Sequence, residues 1–244
     1  MYSATLPKGG QQLKEFLKNE LSKTNIIEPG MIRVEQKLVN SKSLYQFDIL
    51  QGNSGQTLST ETKLDKNDVF YCWGIGIYLA AFDTTKRSKA VLQTFPNPVI
   101  FGAAPGSGTP QVEDLESVYN GDLTVKIGTT QYISQMPTRN FRYVPETQQN
   151  THISVAPGAN LIQFNQLKPF DGLYEIEKLR FSGLDQIDIR VELNPYTGGS
   201  FNFEAATANF ENHIVLIAQG FLVKGLAQSV SRLEAGRSGL AGCR

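Results

Sequence analysis

Few side chains in this sequence have the type and spacing that metal binding or redox chemistry requires. The chain contains two histidines, His152 and His213, and two cysteines, Cys72 and Cys243. A zinc site needs three or four ligands, and neither histidine has a nearby cysteine or a suitably spaced pair of carboxylates. The cysteines lie far apart and outside any metal-binding spacing, which favours free thiols in a reducing compartment. We therefore expect no metal, no cofactor and no disulfide.

Three neighbouring carboxylates come nearest to a catalytic acid–base pair. Glu113, Asp114 and Glu116 would serve as glycosidase carboxylates only if two of them faced one cleft. As neighbours on a short helix at Gln111–Tyr119 they are more typical of a solvated surface. The stretch Gly102–Pro110 lacks the Gly-Lys-Ser/Thr of a phosphate-binding loop, and nucleophile-elbow, zincin and dinucleotide motifs are missing. We expect no enzyme and no small-molecule substrate.

The element that must organise the chain is the apolar stretch Asp68–Asp83, DVFYCWGIGIYLAAFD. In an extended strand its odd residues would point to one side and its even residues to the other. Both sets are apolar or small, which predicts a strand covered on both faces, and the glycines and β-branched residues argue against a helix. The stretch is also shorter than the roughly 18 apolar residues of a membrane span. Trp73 and Tyr78 could stack on sugars, but in such a strand we expect them to pack in the core.

Short segments with alternating or apolar patterns follow one another along most of the chain. Met31–Leu38 and Tyr45–Ile49 alternate with a period of two and predict a hairpin, with Arg33 and Glu35 on a solvent-exposed face. Further strand candidates are Thr57–Lys63, Val91–Phe95, Val99–Phe101, Gly121–Ile127, Gln131–Ser134, Phe141–Val144, Leu161–Leu167, Leu173–Phe181 (with a bulge), Leu184–Leu193, Phe201–Phe203 and His213–Lys224. About a dozen short strands with a turn about every 8–12 residues predict an all-β antiparallel jelly-roll sandwich rather than an α/β fold.

Composition agrees with a β-rich body and sets bounds on its function. A chain of 244 residues suits one large β domain or two small ones. The hydrophobic fraction of 40% supplies a core, and the net charge of +0 weighs against a surface built to grip nucleic acid. We see no secretion signal and divide the chain into an N-terminal helical arm, 1–30, a β body, 31–225, and a C-terminal tail, 226–244, that begins as a short helix. A subdivision near 102–120 would separate two rolls.

The N-terminal region predicts one amphipathic helix, Gln11–Lys23, preceded by two glycines as punctuation. Its apolar stripe consists of Leu13, Phe16, Leu17 and Leu21, with charged residues opposite. Two interpretations remain open. Either the stripe packs on the sandwich, or the helix is an arm that reaches a neighbouring subunit or a membrane surface, helped by nearby lysines. We take the four stripe residues as the candidate assembly site.

The order of several segments along the chain carries a resemblance to one group of proteins. The polar entry TETKLDKNDVF leads into Asp68–Phe82, and Pro98–Phe101 precedes a loop, a helix and the stretch Tyr119–Gln148. Phe181–Gln186 and the strand HIVLIAQGFLVKG close the body. This order, over most of Met31–Gly225, resembles the jelly-roll capsid and virion structural proteins of tailless icosahedral bacteriophages.

The resemblance implies a structural role in a virus particle. Such proteins carry one or two eight-stranded rolls per chain, so that one elaborated roll or two compact rolls are expected. The chain would assemble into an icosahedral shell through loop and terminal-arm contacts, as a homo-oligomer, trimer or higher, with other virion proteins. The arm would meet an internal membrane or the genome, and the protein, made in the host cytoplasm, would reside in the virion. The alternative is a carbohydrate- or receptor-binding β-sandwich module of a virion or baseplate.

Overall fold

The computed structural model describes residues 6–21, 26–52, 60–85, 90–101, 112–144, 170–194, 201–205 and 209–226. Within these ranges the regular backbone is mostly β-strand. The strands are β1 (Ile27–Lys37), β2 (Leu44–Phe47), β3 (Val69–Asp83), β4 (Leu92–Gln93), β5 (Asp122–Ile127), β6 (Thr130–Pro137), β7 (Tyr174–Ser182), β8 (Ile187–Glu192) and β9 (Phe210–Val223). The helices are α1 (Lys8–Leu21), α2 (Pro98–Phe101) and α3 (Val112–Glu116), with 3₁₀ turns at Ser117–Tyr119 and Thr138–Phe141.

The strands form two antiparallel sheets, and these make the all-β sandwich that the alternation predicted. One sheet has five strands in the order β1-β9-β3-β4, with β7 also paired to β3, and is named the β9 sheet below. The other sheet, named the β8 sheet, has four strands in the order β2-β8-β5-β6. The main core combines apolar side chains of both sheets, among them Phe47, Ile77, Val125 and Leu216. Burial of this apolar surface holds the two layers together.

Local pattern located most of the elements correctly. Strands β5, β6, β8 and β9 lie where alternation predicted them, and α3 with its 3₁₀ turn occupies the predicted helix Gln111–Tyr119. Strand β7 matches Leu173–Phe181, and its pairing with β3 shifts register between Cys72 and Gly74, in line with the predicted bulge. The candidate strand Leu161–Leu167, residues 57–59 of Thr57–Lys63 and most of the tail lie outside the described residues, and residues 60–63 form one isolated bridge, at Thr62, instead of a full strand.

Strand β3 is covered on both faces, as expected, but the side chains do not keep one parity along it. Cys72 pairs with Gly220 of β9 and Gly74 pairs with Gln219, so Trp73 is an extra residue in a β-bulge. The side chains directed to the main core are therefore even-numbered before the bulge and odd-numbered after it: Phe70 and Cys72, then Ile75, Ile77 and Leu79. The prediction that Trp73 and Ile75 share a face was wrong, because one inserted residue reverses the alternation.

The predicted hairpin of Met31–Leu38 with Tyr45–Ile49 is also wrong. Strand β1 begins earlier, at Ile27, so residues 27–30 belong to the sheet rather than to the arm, and β1 pairs with β9 along its whole length. Strand β2 pairs with β8 in the other sheet. Residues 38–43 thus carry the chain between the two layers. The alternating pattern cannot distinguish these arrangements, because it specifies a buried face and not a partner.

Three short apolar segments predicted as strands adopt other conformations. Residues 99–101 lie in helix α2, where Pro98 takes the first turn and the carbonyl of Asn97 accepts hydrogen bonds from the amides of Ile100 and Phe101, at 3.0 and 2.9 Å. Proline suits that position because its fixed φ is helical and it has no amide proton to satisfy. Residues 141–144 complete a 3₁₀ turn and then run irregularly, and residues 201–203 form no strand although their two phenylalanine rings stack at 4.9 Å. Short apolar runs do not separate strand from helix.

The outer side of strand β1 is buried rather than solvated. Arg33 and Glu35 are each only 4% exposed. A remote segment covers this edge, because Arg33 and Thr62 exchange two backbone hydrogen bonds of 2.9 Å. The solvent-exposed face of the sandwich lies instead on the β8 sheet, where Lys126 and Arg190 are exposed. The two sheets therefore differ, with one covered on both faces and the other solvated on its outside.

Candidate assembly surface at helix α1

Helix α1 begins at Lys8, and both glycines predicted to precede it lie in its first turn. A Cβ at residue 10 would lie 3.2 Å from the ring of Trp73, so Gly10 lets the helix backbone approach the indole closely. The amide of Gly9 donates a hydrogen bond of 3.1 Å to the Glu175 carboxylate of strand β7. That carboxylate accepts a hydrogen bond from one of the otherwise unpaired amides at the start of the helix. Its negative charge also interacts favourably with the positive end of the helix dipole. The two glycines therefore allow the helix backbone to lie close to strands β3 and β7, and they do not mark a break before the helix.

The buried side of α1 packs on the outer face of the β9 sheet. Leu13 and Leu17 form one apolar cluster with Trp73 of β3 and Phe221 of β9. Trp73 reaches this face because of the bulge, and its ring meets Phe170 edge-on at a centroid distance of 5.4 Å. Burying the two leucines contributes about 1.5–3 kcal/mol each. The stripe thus holds the helix to its own sandwich, which is the first of the two interpretations drawn from the sequence.

The four predicted assembly residues do not share one environment. Leu13 and Leu17 are buried against the sheet, and Leu21 is partly buried where α1 meets a second apolar cluster around Val223. Phe16 is 37% exposed. Three members of the stripe therefore face the sheet, and Phe16 is the member whose ring is partly exposed.

A cavity of about 720 Å³ opens beside the first turn of α1. Its described lining includes Lys8, Gln12, Trp73, Glu175 and Glu177. Glu175 is engaged with the helix amide, and the described lining holds no histidine or cysteine that could act as a nucleophile or base. The sequence analysis missed the part that Glu175 and Trp73 play here, because a carboxylate within a strand and a tryptophan within a buried run carry no local signal of a docking contact.

The other residues considered for chemistry have structural partners. Asp114 accepts a hydrogen bond of 3.1 Å from the amide of Asn202, and Glu116 forms an ion pair with Arg142. These two carboxylates therefore bind neighbouring segments instead of forming a pair in one cleft. The Cys72 thiol is buried and donates to the carbonyl of Gly74 at 3.2 Å, and burial raises its pKa to about 12, which keeps it an unreactive thiol.

Cysteine 243, His152 and the side chain of Glu113 lie outside the part of the chain that the structure describes. Among the described residues, no group of three or more His, Cys, Asp or Glu side chains is arranged to hold a metal ion. No helix in the described ranges has the length and hydropathy to cross a membrane. Comparisons of the chain with protein-family models, with curated proteins and with solved structures gave no match.

Proposed function

We propose that the sandwich is a single jelly roll and that the protein is a viral capsid subunit, which assembles into an icosahedral shell. The strand order is the observation that carries this proposal. Strands pair in a nested series, first with last: β1 with β9, β2 with β8, β3 with β7, and β5 with β6. Such a series describes one long antiparallel ribbon whose turn lies between β5 and β6.

The remaining pairings support a ribbon that is rolled into two layers. Strand β9 also pairs with β3, and β8 also pairs with β5, so each layer contains contacts between successive windings. Leaving out the two-residue strand β4, the ribbon has eight strands, and this number and their order support a jelly roll built from two Greek keys. All the described strands belong to one pair of sheets, which favours one roll per chain over two.

The mechanism would be assembly of rigid blocks. The sandwich supplies a stiff unit, loops at its ends contact neighbouring copies, and the arm carrying α1 contributes Phe16 to an adjoining surface. Closed symmetry makes a homo-oligomer, trimer or higher, the expected unit, joined by other virion proteins. The exposed lysines of α1, Lys8, Lys14 and Lys18, suit contact with an internal membrane or the genome. The protein would reside in the virion after synthesis in the host cytoplasm.

Electron microscopy and sedimentation velocity of the purified protein test this proposal. We expect ring-like capsomers or shells and a concentration-dependent shift to species of three or more chains. A protein that stays monomeric at all concentrations would contradict it.

Jelly rolls also occur in lectins, so a glycan array run on the same sample examines the carbohydrate-binding alternative. Trp73 and Tyr78 do not support that alternative, because both rings are buried and cannot stack on a sugar. Glycan binding by a monomer would favour it over the shell.

A further inference from the structure

A group of buried charged side chains lies on the outer face of the β9 sheet, where β1 meets β9. The Nε of Arg33 donates a hydrogen bond of 2.7 Å to Oε1 of Glu35. The amide of Glu35 donates in turn to Oε1 of Glu61 at 3.1 Å, and Lys63 lies 3.7 Å from the other oxygen of Glu61. Burying such ions is costly unless each charge is balanced, so a change of charge in this place has a large effect.

His213 lies at the end of this group and is only 5% exposed. In the sheet register it faces Lys37 of β1 on one side and Ala80 of β3 on the other. Its ring centroid is 5.4 Å from that of Phe82. Its Nε2 lies 3.5 Å from a carboxylate oxygen of Glu211, and neither ring nitrogen makes a well-formed hydrogen bond with a described residue.

The charged side chains that face this imidazole come from strands β1 and β9. Strand β1 contributes Glu35 and Lys37, and β9 itself contributes Glu211, which also binds Lys37 at 2.5 Å. Strand β3 faces it with Ala80 and Phe82, which carry no charge. With the pair Glu61 and Lys63 behind Glu35, the described group contains three cations and three anions: Arg33, Lys37, Lys63, Glu35, Glu61 and Glu211. The charges of these six side chains balance while His213 is neutral, and Lys37 and Glu211 form the partly exposed end of the group.

We propose that His213 is a proton switch: uptake of a proton on mild acidification places a positive charge on this buried imidazole and loosens the pairing of β1 with β9 around Lys37. A backbone hydrogen bond lies next to the switch in the chain: the amide of Leu38 donates to the carbonyl of Asn212 at 2.8 Å. The switch is a property of the single chain and does not depend on whether the chain forms a shell.

The direction of the pH effect on stability follows from the pKa of His213 in the folded and in the unfolded chain. Burial lowers the pKa of His213 below its ordinary value of 6.5, Glu211 and Glu35 partly oppose that effect, and Lys37 adds to it. Between the folded and unfolded pKa values the unfolded chain binds more protons, so the folded state loses stability as the pH falls through this window. One proton changes the unfolding equilibrium constant by at most about tenfold per pH unit.

Histidine NMR titration tests the switch directly, because the chain has only two histidines. We expect two imidazole signals, one of which disappears in His213→Gln and titrates in the wild type with a midpoint below 6.5. Exchange of the Leu38 amide, corrected for intrinsic chemistry, should be faster at about pH 5.5 than at about pH 7.5 in the wild type and should lose this difference in His213→Gln. The control variant His152→Gln should behave as the wild type does. A midpoint of 6.5 or higher, or exchange of Leu38 that changes equally in both variants, would overturn the proposal.

Two surface-side substitutions keep the proposal testable even if His213→Gln does not fold. Glu211→Gln removes a carboxylate that favours the protonated ring, so the midpoint of His213 should move down. Lys37→Gln removes an opposing cation, so the midpoint should move up. Shifts of the opposite sign, or no shift in either variant, would show that these groups do not control the proton.

Discussion

Trp73 lies on the outer face of the β9 sheet because the bulge gives strand β3 one residue more than its partner β9 at that point. The Trp73 side chain packs against α1, where it contacts Leu13 and Leu17 and lies close to Gly10. A single insertion in a strand thus creates the attachment point of the only long helix among the described residues. Because Trp73 is the one tryptophan of the chain, the tryptophan fluorescence of the protein reports on this part of the structure.

Replacing Gly10 by valine should separate α1 from the sheet. The new Cβ would lie 3.2 Å from the indole and its methyl groups closer still, so the helix must move outward. We expect a loss of about 1–3 kcal/mol in the free energy of unfolding, measured in urea, and a red shift of the Trp73 emission. Asn19→Val, at an exposed position of the same helix, is the control. Unchanged emission in Gly10→Val would contradict the close contact.

At the scale of elements, α1 and β1 each present two different sides. Helix α1 holds Leu17 against the sheet, fully buried, while the preceding residue, Phe16, is partly exposed. Strand β1 is joined to β9 on one side and, at Arg33, to the segment around Thr62 on the other. The part of the edge at Arg33 is therefore covered and is not open to pairing with another chain.

Neighbouring substitutions in α1 should separate assembly from folding. Phe16→Asp should abolish higher oligomers in sedimentation while leaving the free energy of unfolding within about 1 kcal/mol of the wild type, since the ring is partly solvated. Leu17→Ala should cost about 2–5 kcal/mol, because it leaves a cavity under the helix. Intact particles from Phe16→Asp would remove this residue from the assembly surface.

The contact between β1 and the segment around Thr62 consists of backbone hydrogen bonds, so a substitution that removes a backbone amide tests it. Thr62→Pro deletes the amide that donates to the carbonyl of Arg33 at 2.9 Å. Loss of that bond should lower the free energy of unfolding by about 1–3 kcal/mol in a urea titration. Thr62→Ala keeps the amide and trims an exposed side chain, so it should change stability by less than about 0.5 kcal/mol. Equal effects of the two substitutions would argue against a covering strand segment.

For the whole molecule, the nested order of pairs joins residues that are far apart in the chain. Ile27 pairs with Val223, so the first and last described strands lie side by side in the β9 sheet. Closing such long loops costs entropy before the contacts are made, which slows folding. The same arrangement places strand β9 between β1 and β3, where it completes the largest sheet.

Refolding should therefore be slow for a protein of this size. We expect Trp73 fluorescence in stopped-flow refolding to relax in about milliseconds to seconds, as for other sandwiches rich in non-local pairs. A double-jump experiment distinguishes this phase from proline isomerisation, which takes tens of seconds. Relaxation within microseconds would indicate that local contacts dominate and that the nested pairing is wrong.

The sequence by itself determined the local elements. Side-chain periodicity is a property of neighbouring residues, so the alternation at β8, the two-sided apolar run of β9 and the stripe of α1 were sufficient to locate these elements. The apolar stripe of α1 also supplied the candidate site. The packing of its members Leu13 and Leu17 on the sheet matches one of the two interpretations that the pattern allowed.

Only the tertiary structure decided which elements meet. A strand with one apolar face can pair with any suitable partner, so nothing local distinguished β9 from β2 as the neighbour of β1. The bulge at Trp73 reversed the faces of β3, and a segment near Thr62 buried Arg33 and Glu35. Burial and partner choice depend on chain segments brought together from distant positions, and periodicity contains no information about distance in space.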